Sequence, residues 1–176
     1  MIDILAENIS ASGSWTGQKT LRRGEFLSLP GDVETDLYYV KSGSLRVFMT
    51  DGEDEHCVRF GYRGSFITAL DSYMAVEPTV YFIQALKACE LKSIRKDAFL
   101  KFIETSASMR KLYGRLLEVL VCQQMERERD LLTSSPKERY ERVLKRSPQL
   151  FQEVPHKYIA SYLRMTPETL SRMKKC

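Results

Sequence analysis

The chain has 176 residues, 43% of them apolar and 28% charged, with a net charge of +4. That is room for one large domain, or for a domain of about 100 residues with a smaller one attached, in a composition ordinary for a soluble globular protein. No apolar run approaches the roughly 18 residues of a membrane span, and Asp3 and Glu7 stand where a signal peptide would be basic and then apolar, so the expectation is a cytoplasmic protein without membrane contact.

The four cysteines, Cys57, Cys89, Cys122 and Cys176, are far apart, with no C-x-x-C pair and no nearby histidines. Neither a zinc site nor an iron–sulfur cluster is suggested, and reduced thiols are expected. Charge is unevenly divided: residues 1–100 carry 11 basic and 14 acidic side chains, net −3, and residues 101–176 carry 16 and 9, net +7. A slightly acidic half followed by a positive one suits a sensor joined to a polyanion-binding reader.

In chain order, residues 1–10 suit a short helix and residues 11–19, rich in Ser, Gly and Thr, read as a loop. Short β-branched and aromatic runs follow at residues 25–29, 37–42, 44–50, 56–61, 80–86 and 90–94. Turn signals at Pro30-Gly31-Asp32, Ser42-Gly43, Asp51-Gly52 and Arg63-Gly64 separate them, as in a sandwich or barrel. Residues 96–104 place Phe99, Leu100 and Phe102 on a helical period.

Residues 106–132 form the longest periodic stretch. Met109, Leu112, Tyr113, Leu116, Leu117, Leu120 and Val121 recur at helical spacing and line one face of a helix about 40 Å long. The reading is a spine, an inter-domain connector and a seam between two copies; a core helix packed only on its own chain is the alternative. Past Val121 the surface becomes Glu126, Arg127, Glu128, Arg129 and Asp130, expected to be solvated or to pair with another chain.

Ser135-Pro136-Lys137-Glu138 then fits a capping box, and Tyr140, Val143 and Leu144 supply a buried face until Pro148. Val154-Pro155 opens a short helix with Tyr158, Ile159, Tyr162 and Leu163 inward. Arg164-Met165-Thr166 interrupts it, and Thr166 caps a further helix that starts at Pro167. Two short helices across a three-residue turn make a helix-turn-helix, with the small Ala160 at the crossing. The second helix turns Glu168, Thr169, Ser171, Arg172, Lys174 and Lys175 outward. Arg can pair with guanine, Glu can accept from cytosine, and Ser, Thr and Lys suit phosphates; a solvated basic helix end is the plainer alternative.

Enzyme chemistry has little to stand on. The β-rich half contains only His56, too few ligands for a barrel metalloenzyme, and no Ser-His-Asp set, phosphate-binding loop or paired carboxylates stand out.

Gly24-Glu25, Pro30-Gly31-Asp32, Tyr38-Tyr39-Val40-Lys41-Ser42-Gly43 and Gly64-Ser65-Phe66-Ile67 precede the long helix. After it come Ile159-Ala160-Ser161-Tyr162-Leu163 and Thr166-Pro167-Glu168-Thr169-Leu170-Ser171-Arg172. Together they resemble the CRP/FNR family of bacterial transcription regulators over nearly the whole chain. The resemblance implies an α+β chain in three parts: a double-stranded β-helix or jelly roll of the cyclic-nucleotide-binding type at residues 1–105, a dimerisation helix at 106–132, and a helix-turn-helix at 133–176. It implies double-stranded DNA, a second copy and RNA polymerase as partners, an unknown small-molecule effector and no cofactor. Glu168, Thr169 and Arg172 fall on the family's base-contacting positions, with Thr166, Ser171, Lys174 and Lys175 beside them, and Met109, Leu112, Tyr113, Leu116, Leu117 and Leu120 on the dimer seam.

Three departures qualify the resemblance. The family's cAMP cassette has Gly-Glu before a short helix and Arg-Ser before the next strand; here those places hold Thr68-Ala69 and Thr79-Val80, within a pocket that also includes Gly64 and Phe66. Without the phosphate's arginine, cAMP is not expected to bind in the usual way. Tyr73, Tyr81 and Phe82 are candidates to fill the space, and Arg46, Arg59 and Arg63 read as solvated strand charges. The oxygen-sensing branch's N-terminal cysteine cluster is absent. The sequence stops soon after the recognition helix, so no β-hairpin wing is expected, and Arg164 occupies a turn position that is often Gly, where a left-handed backbone costs about 1 kcal/mol. The leading expectation is a DNA-binding regulator; a sensing or interaction module that has lost DNA reading is the alternative.

Overall fold

A computed structural model describes residues 1–173. Helix α1 (Ile2–Ala11) precedes eight strands, β1 (Gly17–Leu21), β2 (Phe26–Ser28), β3 (Asp36–Ser42), β4 (Ser44–Asp51), β5 (Asp54–Tyr62), β6 (Phe66–Ile67), β7 (Phe82–Ala85) and β8 (Cys89–Arg95), with α2 (Leu70–Ala75) between β6 and β7. Helices α3 (Lys96–Glu104), α4 (Ala107–Leu132), α5 (Pro136–Arg146), α6 (Leu150–Glu153), α7 (His156–Tyr162) and α8 (Pro167–Met173) complete it.

The strands form two antiparallel four-stranded sheets, ordered β1-β8-β3-β6 and β2-β7-β4-β5. Their inner faces bury Val40, Leu45, Val47, Ile83 and Leu91 in one core, each such side chain contributing about 1.5–3 kcal/mol. Asp51 pairs with Asp54 around Gly52 at φ +61°, so the acidic tip is a two-residue turn and β5 starts earlier than its apolar run suggests. β1 departs from the sequence reading, which takes residues 11–19 as loop. Four of its five residues are exposed, so no apolar alternation betrays it, yet it pairs with β8 from Gly17↔Ser93 onward.

A second core joins α1, α3 and the start of α4 around Leu5, Ile9, Phe99 and Ile103. Met109, Leu112, Tyr113 and Leu116 pack against it. The first half of the predicted seam therefore covers its own chain, while Val121 and Met125 farther along α4 are about 60% exposed (59% and 63%). A third core holds Val143, Leu150, Ile159, Leu163 and Leu170 of the C-terminal helices together with Leu86, Phe60 and Tyr62 of the β-rich half.

β4 is buried on both sides. Leu45 and Val47 face the inter-sheet core, and outward-pointing Arg46 lies between the rings of Phe48 and Tyr158, at 3.8 and 4.4 Å from their centroids. The C-terminal helices thus dock on the β4–β5 ribbon. Ser161 Oγ donates to the Glu55 carbonyl at 2.9 Å and accepts from the Cys57 N–H at 3.1 Å.

Candidate nucleic-acid interface and effector region

The helix-turn-helix is built from α7, a turn and α8. α7 ends in a Schellman-type turn, with Met165 N–H donating to the Ala160 carbonyl at 3.0 Å. Arg164 takes the left-handed conformation at φ +54°, as the expected turn geometry requires. Ala160 and Leu163 are fully buried at the crossing, with Leu170 pressed onto them from α8. Thr166 Oγ1 accepts from the Thr169 N–H at 3.2 Å and so caps α8.

Arg139 of α5 fixes the turn from behind. Its guanidinium donates to the carbonyls of Leu163 and Arg164 on one side and of Thr133 and Ser134 on the other, tying the α4–α5 connection to the helix-turn-helix. Sequence reading does not single it out; its only signal is an arginine on the inner side of a short helix that follows a cap.

On the outer side, Thr166, Glu168, Ser171 and Arg172 are exposed and Thr169 is half-buried. Its own backbone N–H, then the Thr166 hydroxyl, hold the Glu168 carboxyl below the usual range, keeping it an acceptor. Arg172 Nη2 reaches Thr169 Oγ1 at 3.4 Å. The predicted Lys174 and Lys175 lie outside the described residues.

The six predicted effector-region residues fall into two groups. Gly64, Phe66 and Thr68 line a cleft of about 900 Å³ between α1, β5, β6, α4 and α7, with Tyr113, Leu116, Leu117 and Leu120 on its helical wall. Ala69, Thr79 and Val80 stand outside that lining, around α2. Thr68 Oγ1 donates to the Asp36 carbonyl at 2.9 Å. At the place where the family's cassette gathers phosphate donors, the chain supplies an acceptor of its own: the Asp71 carboxylate receives Thr79 Oγ1 at 2.8 Å and the Val80 N–H at 3.1 Å. In the sequence Asp71 carries no signal, since an acid eight residues before a threonine belongs to no motif.

The candidate space-filling aromatics sit apart as well. Tyr73 is buried beside the cleft, Tyr81 packs on the inter-sheet core, and Phe82 stacks on Phe48 with centroids 4.8 Å apart.

Two expectations about charge are corrected. Arg46 is buried rather than solvated, held by Glu55 and Gln84. Residues 126–130 are solvated only at Glu128 and Arg129: Asp130 is fully buried and takes Arg142 Nε at 3.0 Å on one oxygen and Arg146 on the other, while Glu126 accepts from Arg142 at 2.8 Å. The physical reason is that α5 folds back along the end of α4 and brings its arginines to those acids.

The family model of the cyclic nucleotide-binding domain matches residues 18–106. No curated protein matches the sequence. Among solved structures, FixK2 from Bradyrhizobium japonicum superposes with a TM-score of 0.75 at 14% identity, covering 90% of this chain and 82% of its own. The regulator CLP of Xanthomonas campestris, described as c-di-GMP responsive, gives 0.68 at 19% identity over 97% and 90%. The catabolite activator protein of Thermus thermophilus gives 0.58 at 21% identity over 96% and 81%. At these identities the likeness is one of fold.

Proposed function

Since the chain belongs to the cyclic nucleotide-binding domain family and has the CRP/FNR-type fold of β-roll, long helix and C-terminal helices, we propose that it is a transcription regulator that binds a two-fold DNA site as a homodimer. In this reading residues 1–105 are the sensor, 106–132 the connector and 133–176 the reader, and RNA polymerase is a further partner. The observation that carries it is the outer face of α8, where Glu168, Ser171 and Arg172 are exposed on a helix whose inner side is locked by Leu170 and whose start is capped by Thr166.

Chemically, α8 offers an arginine fork for guanine O6 and N7 and a carboxylate for cytosine N4. Two such helices about 34 Å apart meet successive major grooves. The cassette does not favour cAMP, because a phosphate placed there would face the Asp71 carboxylate rather than an arginine.

The test is an electrophoretic mobility shift assay with genomic fragments at several salt concentrations. Wild type is expected to retain particular fragments, with affinity falling as salt rises, because counterions released from the duplex gain less entropy in more concentrated salt. Arg172→Ala is expected to lose about 1–3 kcal/mol of discrimination, roughly five- to 150-fold in affinity for its preferred fragment. Failure of the wild type to retain any duplex would sink the proposal.

A further inference from the structure

Three guanidinium groups converge on one ring at the joint between the β-rich half, α4 and the helix-turn-helix. Arg127 of α4 lies over Tyr162 with its guanidinium carbon 3.7 Å from the ring centroid. Arg146 of α5 and Arg59 of β5 also interact with Tyr162, which is the last residue of α7. All three arginines line the 900 Å³ cleft, in which Asp3 of α1 is the one carboxylate among the described lining residues. Asp3 accepts from the Tyr39 hydroxyl at 3.5 Å, beside Gly64, and makes no ion pair with Arg59 or Arg127.

Arg146 is balanced by Asp130 and Glu126. Arg59 and Arg127 are not: among the described residues neither has a carboxylate at ion-pair distance or a hydrogen-bond partner. Arg127 is only 9% exposed. Stacking on Tyr162 offsets part of the cost of burying that cation, but it satisfies none of the five N–H donors. Burial pushes both guanidinium groups below their ordinary values. Neither cation has an ion-pair partner: Arg127 feels the Asp130 carboxylate only beyond ion-pair distance, with that carboxylate already held by Arg142 and Arg146. Two such desolvated cations facing one cleft are the reverse of what a purely structural joint needs.

We propose that this joint is an anion-binding effector site, in which a phosphate-bearing small molecule seats its phosphate between Arg59 and Arg127 against Tyr162. Gln123 and Gln124 on the same wall supply amides for the rest of the molecule, and the cleft has the volume of sites that hold nucleotide-sized ligands. Phe60, whose ring centroid is 5.5 Å from that of Tyr162, extends the aromatic surface. A ligand there touches the sensor strand, α4 and the first helix of the reader at once, so its binding energy biases how the reader is seated. The inference rests on reading the chain as an effector-controlled regulator, and it places the phosphate away from the cassette that Asp71 occupies.

The experiment is calorimetric and thermal-shift titration of the full chain with sodium pyrophosphate, against sodium chloride at equal ionic strength. Saturable binding with a Tm rise of several degrees is expected, weakened tenfold or more by Arg127→Gln and by Arg59→Gln, and changed less than twofold by Arg63→Gln on the same cleft. Should Arg127→Gln fail to fold by circular dichroism, Arg59→Gln on the opposite wall decides. Absence of saturable binding, or binding indifferent to both Arg59 and Arg127, overturns the site. A mobility shift assay on the same preparations separates the two readings. Duplex binding without pyrophosphate binding removes only the site, whereas Arg59- and Arg127-dependent pyrophosphate binding without duplex binding supports the site and removes the regulator.

Discussion

Asp130 has no exposed surface, and each of its oxygens meets an arginine of α5. Replacing it by Asn would leave Arg142 and Arg146 sharing only the half-exposed Glu126. A broken buried pair of this kind costs about 3–5 kcal/mol, so Asp130→Asn is expected to shift the urea midpoint by a corresponding amount. Glu34 is a second residue under electrostatic load: desolvation raises its carboxyl pKa above the ordinary 4.5, against backbone hydrogen bonds that lower it. The folded state then holds a proton that the unfolded state has released, so stability falls as pH rises from 4.5 through the raised value. Glu34→Gln is expected to flatten that slope in Tm measured between pH 4 and pH 7. Neither residue announces itself in the sequence. Asp130 sits in a run of alternating charges that reads as solvent-facing, and only the return of α5 makes it internal. Arg164, by contrast, was legible: two helices across a short turn force the left-handed backbone whatever residue stands there.

Helix α4 has two different faces along its length. Its first half completes the core of α1 and α3, and its second half leaves a stripe of Val121, Met125 and Leu132, respectively 59%, 63% and 79% exposed. Those positions, four and seven residues apart, lie on one side of the helix and form the apolar face a second copy would cover. Val121→Glu with Met125→Glu is therefore expected to give a folded monomer in light scattering, against the dimer proposed for wild type; an unchanged mass would place the seam elsewhere. Leu116 is a poorer probe, since a charge there also strikes the chain's own core. Periodicity located the helix and its apolar residues, but period alone does not say which neighbour an apolar residue meets. The same limit hid β1, an exposed edge strand that has no apolar alternation to read.

Across the whole molecule the helix-turn-helix does not hang free of the β-rich half. β5 is the edge of its sheet, and α7 covers that edge, with Ser161 satisfying the Cys57 N–H and donating to the Glu55 carbonyl. Arg46, Tyr158 and Glu55 close the contact from the β4 side. Ser161→Ala is expected to speed hydrogen exchange at the Cys57 amide about tenfold, the equivalent of roughly 1.4 kcal/mol of lost protection, and to alter duplex affinity through the seating of α7. Turn signals, the capping box and the helix-turn-helix pattern made the order of parts legible. Their mutual docking was not, because it depends on single contacts such as Ser161 and Arg139, which stand alone in the sequence without period or motif.

The Asp71 carboxylate is joined covalently to the donors that hold it, eight residues from Thr79. Its local concentration is set by the length of that loop and stays the same however the cell's metabolite pool rises or falls. A soluble competitor must outbid a tethered rival that never diffuses away, so this corner of the β-roll behaves as a fixed structural clasp with no dose–response of its own.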